Sequence, residues 1–250
     1  MRQEFRNASL ADRIIAISGG EAKALRGLGV GPVSVLGHMR EVRPTPRGFH
    51  DRRGLLFLGA MHGEDSPNYD SLCWYVDKVL PLVEAELAEE ARLTIAGYLG
   101  NNASLSRFAG HPGLVLRGPV ADAEPLYDRH RVFIAPTRIA AGLAYKVHEA
   151  ASFGLPVVAS TLLRDQLGWH DGNELLSADT ADPAAFAARI VTLYRSEKLW
   201  ERLRQGAMER MARENNRDDY RRSLEEILSP AESPETLVAE WQPRSKTNTG

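Results

Sequence analysis

The feature that most constrains this chain is the alternation, from residue 10 to residue 180, of short apolar runs with helical stretches. Seven runs, "RIIAIS", "VSVLG", "GLLFLGA", "RLTIAG", "LVLRG", "RVFIAP" and "LPVVAS", are rich in Val, Ile and Leu and have the length of strands buried on both faces. Strands of that kind, taken in turn with helices, pack as a parallel sheet covered on both sides. The longest helical pattern, "YDSLCWYVDKVLPLVEAELAEEA", places Leu72, Tyr75, Val76, Val79, Leu80 and Val83 at helical spacing, with Pro81 as a kink. The predicted class is α/β: a Rossmann-like parallel sheet flanked by helices, with ligands expected beyond the carboxyl ends of the strands. After residue 180 the pattern is helical only. Asp182-Pro183 reads as a cap and first turn, and three C-terminal helices follow, striped by Phe186, Ile190 and Leu193, by Leu199, Leu203, Ala207 and Met211, and by Tyr220, Leu224, Ile227 and Leu228.

Composition narrows the function classes. Thirty-one Lys and Arg against 33 Asp and Glu, net charge -2, give no basic excess, so nucleic acid is not an expected partner. Cys73 is the only cysteine, which excludes an internal disulfide and reads as a core residue. No apolar run approaches the roughly 20 residues of a membrane span, and the start carries no signal core. A cytoplasmic location is expected, with peripheral contact at the inner face of the membrane kept open. Neither a Gly-x-Ser-x-Gly elbow nor a Walker loop occurs. "MHGED" (His62, Glu64, Asp65) lacks a second ligand pair at metal spacing and reads as a solvated loop, and no metal is expected.

Residues 1–45 hold one strand-helix-strand unit and run into "REVRPTPRGFHDRRG", residues 40–54, whose Pro, Arg and Gly read as a linker. A unit so small cannot bury its own strands and should dock on its neighbour. The expected division is 1–45, 46–228 and a flexible polar tail at 229–250.

The candidate site lies in "APTRIAAGLAYKVHEAASFGLPVVAS", residues 135–160. Arg138 stands just past a strand end, followed by small residues with Gly142 and by a helix whose N-terminal amides favour an anion. A diphosphate suits that arrangement, with Arg138 as a fork and Lys146 as a point charge. Glu149, three residues on, is an acceptor that suits a diol such as ribose. The bland alternative is a helix-surface ion pair of Lys146 with Glu149 and a solvated Arg138.

This stretch resembles the signature of group 1 (family 4) glycosyltransferases; "GLLFLGAMHGEDSPNYDSLCWYVDKVLPLV" resembles the first strand, donor-side loop with Pro67-Asn68 and long helix of that family's C-terminal domain, and "RLTIAGYLG", "LVLRGPVADAEPLYDRHRVFIAP" and "TADPAAFAARIVTLYRSEKLWERLRQGA" match its later segments in order. The resemblance implies the C-terminal, donor-binding domain of a GT-B fold, with residues 10–38 similar to the last unit of the N-terminal domain. It implies a retaining transfer of a sugar from a nucleotide diphosphate sugar to a glycan or lipid-linked acceptor in polysaccharide synthesis, without cofactor or required metal. By position Arg138 and Lys146 take the catalytic, diphosphate-neutralising role and Glu149 the ribose. Gly59, Arg117, Gly118, Ala141, Gly142 and Tyr145 fall on the donor side, with Arg117-Gly118 in a turn that meets the base. Ala141 replaces the first glutamate of the family's pair, and Ala144 and Tyr145 replace a frequent lysine and glycine, so that Tyr145 narrows the phosphate loop. Most of the N-terminal domain, which supplies the acceptor site, has no counterpart here. A chain like this is expected to be inactive until that domain or a partner chain completes it. The alternative is a non-catalytic, truncated GT-B-like binding or interaction module.

Overall fold

The computed structural model describes residue 8 and residues 10–100, 107–139 and 144–229. All seven expected strands form. β1 (Ile14–Ala16) and β2 (Val33–Val35) pair in parallel as a separate two-stranded sheet, joined by α1 (Gly19–Gly27). The start of α1 is set by Ser18 and Glu21. The serine hydroxyl accepts from Glu21 N–H at 3.1 Å, and the glutamate accepts from Ile17 N–H at 2.8 Å, a reciprocal cap.

The main sheet is formed by β3 (Leu55–Leu58), β4 (Leu93–Ala96), β5 (Leu114–Gly118), β6 (Val132–Ala135), β7 (Val157–Ser160) and β8 (Leu176–Ala178). Its order is β5-β4-β3-β6-β7-β8, and every pair is parallel. The order reverses between β3 and β6, the switch point where a crevice opens beyond the strand ends. β8 escaped the sequence reading because three residues, Leu-Ser-Ala, make no apolar run.

Alternation along each strand divides the core in two. Leu55 and Phe57 of β3 face α2 (Pro67–Trp74), α3 (Leu80–Leu87) and α7 (Pro183–Arg195), through Leu72, Leu80, Val83, Phe186 and Ile190. Leu56 and Phe133 face the other way, toward Tyr127 of α4 (Glu124–Arg129), Val147 and Ala150 of α5 (Tyr145–Ser152), Leu163 of α6 (Thr161–Leu167) and Met211 of α8 (Glu197–Glu214). The predicted long helix is two: five residues of π-helix, Tyr75–Val79, separate α2 from α3. Pro81 lacks an N–H and crowds the carbonyl four residues back, and a π-turn relieves both. The expected cap at Asp182 forms, accepting from Ala185 N–H at 2.9 Å, and α7, α8 and α9 (Arg217–Leu228) follow as foreseen.

The segment joining the two sheets is fastened rather than free. Thr45 N–H donates to the Phe153 carbonyl at 3.1 Å, and Arg204 donates to the Thr45 carbonyl at 2.7 Å. Arg52, fully buried, donates to Thr45 Oγ1 and to the carbonyls of Arg47, Tyr127 and His130. Burial, with Arg204 nearby, pushes its pKa down to about 10. Among the described residues no helix is long and apolar enough to cross a membrane.

Candidate active site at the switch point

The site is assembled by the ends of β3 and β6 and the starts of α2 and α5. After β3 the chain passes Gly59 and Ala60 and enters α2, where Ser66 caps by accepting from Tyr69 N–H at 3.3 Å and Pro67 occupies the first turn. This brings Asn68 back over Gly59. A β-carbon at residue 59 would stand 2.8 Å from the Asn68 amide nitrogen, so glycine is what admits that side chain. The Asn68 amide donates to the Ala60 carbonyl at 2.9 Å, which leaves its oxygen turned to the Lys146 ammonium, and the two are hydrogen-bonded.

Lys146 enters from the first turn of α5. Its Nζ lies 5.2 Å from the centroid of the Phe57 ring, and burial pushes its pKa down to about 8. Its hydrogen-bond partner, Asn68, is neutral, so the half-buried positive charge lacks a counter-charge among the described residues. The N-cap of α5 is Ala144, whose side chain cannot cap, so it leaves the first-turn amides to other acceptors. Arg138, beyond β6, is 42 % exposed and pairs with Asp70 Oδ1 of α2 at 3.1 Å. Asp70 Oδ2 and Thr137 Oγ1, between the same elements, are buried without a partner among the described residues.

Glu149 sits one turn along α5. It makes no ion pair with Lys146. Instead Tyr127 OH donates to its Oε2 at 3.0 Å, and Arg40 stands 3.1 Å from its Oε1. Burial first, and then the Glu149 charge, push the Tyr127 phenol far up, so the hydroxyl is the donor. Tyr145 is turned to the linker, with its hydroxyl bonded to Arg40 at 2.7 Å and its ring 5.2 Å from His38.

The structure thus brings Arg138, Lys146 and Gly59 together, with Glu149 adjacent. Arg117 and Gly118 lie at the end of β5, two strands from β3 and so roughly 10 Å aside. Ala141 and Gly142 lie outside the described residues. Sequence reasoning passed over Asp70, Tyr127 and Arg40, and named Asn68 only as part of the donor-side loop in a segment that matches the family. Ser-Pro-Asn-x-Asp after a strand could have marked the α2 pair; nothing in the sequence marked Arg40. His148 packs on Trp169 at 5.5 Å, its pKa lowered by burial. Asp171 accepts from Ser177 N–H at 2.6 Å and pairs with Arg189 at 3.0 Å, which is a structural use. His62 packs on Tyr98 at 5.3 Å.

Comparison with known proteins agrees with this architecture. Residues 52–196 match the family model for glycosyl transferases group 1. An uncharacterised 44.6 kDa protein in the cps region of Klebsiella pneumoniae is 28 % identical over 144 residues, 55 % of this chain and 36 % of that protein. Among solved structures, a TarM variant of S. aureus in complex with fondaparinux, alpha-GlcNAc-glycerol and UDP superposes with TM-score 0.76 at 13 % identity, over 92 % of this chain and 46 % of that one. Anabaena HepE with UDP and glucose gives 0.72 at 15 % identity, over 91 % of this chain and 66 % of that one. The pneumococcal O-GlcNAc transferase GtfA with UDP and GlcNAc gives 0.70 at 20 % identity, over 91 % of this chain and 47 % of that one. The chain spans about half the length of TarM and GtfA, and about a third of the Klebsiella protein. On the family match, over more than half its length, and on a six-stranded sheet of GT-B type, this chain belongs to the group 1 glycosyl transferases.

Proposed function

We propose that this chain is the donor-binding part of a retaining glycosyltransferase that moves a sugar from a nucleotide diphosphate sugar to a glycan or lipid-linked acceptor. Residues 46–228 act as the donor domain and residues 1–45 as the end of the N-terminal domain and its linker. The observation that carries this reading is Lys146: a half-buried ammonium held by a neutral amide in the first turn of α5, where an anion would complete it. When the bond between the sugar C1 and the diphosphate oxygen breaks, negative charge grows on the leaving group. A cation already fixed at that point stabilises it without reorganisation, a role that falls to Lys146, with Arg138 as the second cation. Arg138 first leaves Asp70, an exposed pairing that costs little to exchange. Glu149 takes the ribose. The UDP in the TarM, HepE and GtfA structures makes uracil the first base to try, and the cps-region relative supports a polysaccharide product. Turnover is expected only when the acceptor-binding half is present.

A second reading, a non-catalytic interaction module, draws on the exposed Ile15, Leu28 and Val35 of the first unit, which suit a protein contact. Calorimetric titration with UDP, GDP, ADP and dTDP separates the two. Saturable binding of one nucleotide, weakened about tenfold or more by Lys146→Ala, is the expected result, the loss of one charge-assisted hydrogen bond. Failure of all four to bind at millimolar concentration would leave the interaction module as the better account.

A further inference from the structure

Arg40 lies on the segment between β2 and β3, far in sequence from the site. Its N–H donates to Asn215 Oδ1 at 3.0 Å, and Arg43 N–H donates to the Ser152 carbonyl at 2.8 Å, which lays the segment along the end of α5. The guanidinium then spends its fork on that helix. Nε donates to Ser152 Oγ at 2.7 Å, Nη1 to Tyr145 OH at 2.7 Å, and Nη2 stands 3.1 Å from Glu149 Oε1. The same group lies 5.0 Å from the Phe153 ring centroid and 5.5 Å from that of Tyr145. Five restraints on one planar group leave it little freedom. On the far side of the carboxylate, Tyr127 OH fixes Oε2 at 3.0 Å.

Each oxygen of Glu149 therefore has one donor. An ionised carboxylate offers about four acceptor positions, so one remains on each oxygen. Two neighbouring acceptors, held at a fixed angle, fit the two vicinal hydroxyls of a ribose. We propose that Arg40, acting with Tyr127, is a positioning residue that presents the Glu149 carboxylate to the ribose diol and so sets the preference for ribo- over 2′-deoxyribonucleotides. This rests on the assignment of Glu149 in the proposed function.

The test is titration of the whole chain with UDP and with 2′-deoxy-UDP, for the unaltered protein, Arg40→Ala, Arg40→Lys and Tyr127→Phe. The unaltered protein is expected to prefer UDP by about tenfold, the value of one well-placed hydrogen bond to a charged group. Arg40→Ala and Tyr127→Phe should each cut that ratio at least about threefold while 2′-deoxy-UDP binding changes less than about twofold. Arg40→Lys keeps the charge without the fork and should fall between. Tyr127→Phe keeps the buried ring, so it carries the test if Arg40→Ala does not fold. An equal loss for both nucleotides, with the ratio unchanged, would make Arg40 merely structural. Tighter UDP binding by Arg40→Ala would make it a competitor for Glu149, and would equally overturn the proposal. Failure of the unaltered protein to bind either nucleotide would overturn the donor-site reading itself.

Discussion

Lys146 shows how burial gives a single residue both a role and a pH range. Its pKa of about 8 stands below the ordinary 10.5 because water is excluded from the ammonium and only the Asn68 oxygen replaces it. A lowered pKa means that the fold disfavours the charged form. In the empty protein this costs stability below about pH 8, and the cost fades as pH rises from there toward 10.5. Ligand binding has the opposite dependence, because a diphosphate needs the charge. Affinity for a nucleoside diphosphate is expected to fall as pH rises above 8, by up to about tenfold per unit, and binding near pH 8.5 should take up protons. Calorimetry in buffers of different ionisation enthalpy measures that uptake, and Lys146→Ala should abolish it. Asp70 permits a second residue-scale prediction. Its Oδ1 holds Arg138 while its Oδ2 is buried without a partner among the described residues, so Asp70→Asn should free Arg138 and tighten diphosphate binding by a few-fold, at most about fivefold for one exposed ion pair.

Elements converge on the site through close backbone approaches. Gly97, just past β4, has φ of +117°, and a β-carbon there would stand 2.4 Å from the Gly59 carbonyl oxygen. Backbone cannot yield as a side chain can. Gly97→Ala is therefore expected to destabilise the protein by about 2–3 kcal/mol, read from the urea midpoint. Gly59→Ala meets the Asn68 side chain instead, which can move. Its stability loss should be nearer about 1 kcal/mol, but the displaced amide would no longer hold Lys146, and nucleotide affinity should drop several-fold. The contrast between the two variants separates a glycine required by the fold from one required by the site. The same elements show how far pattern reading reaches. Runs such as "RVFIAP" announce central strands because both faces are covered. The break at Tyr75–Val79 is foreshadowed only by Pro81, and the sequence does not say whether proline will kink a helix or divide it by a π-turn.

At the scale of the whole molecule, the linker is bound to the main α/β unit by two arginines, Arg52 buried and Arg204 half-buried. Arg52 bonds four groups in its neighbourhood and stacks 5.2 Å from the Trp200 ring, and Arg204 ties the same strip to the Gly154 carbonyl at 3.0 Å. Arg52→Ala would leave the carbonyls of Tyr127 and His130 buried with fewer donors, and is expected to cost about 3 kcal/mol, lowering Tm by roughly 6–12 °C. By contrast the β1–β2 unit has a small core of Ala16, Ala22 and Val33 and leaves Ile15 and Val35 exposed, as its size foretold. The sequence by itself determined the α/β class, the seven strands that lie in apolar runs, the C-terminal helices and the grouping of Arg138, Lys146 and Glu149 in one crossover. Each of these depends on spacing along the chain, either the period of a strand or helix or the nearness of residues in one loop. Only the tertiary structure decided what those residues meet. Lys146 joins Asn68 from 78 positions away, Arg138 joins Asp70 from 68, and Glu149 joins Arg40 from a linker that composition marked as mere connection. Such contacts arise where strand order reverses between β3 and β6, and strand order is fixed by packing of the whole sheet, which no local pattern encodes.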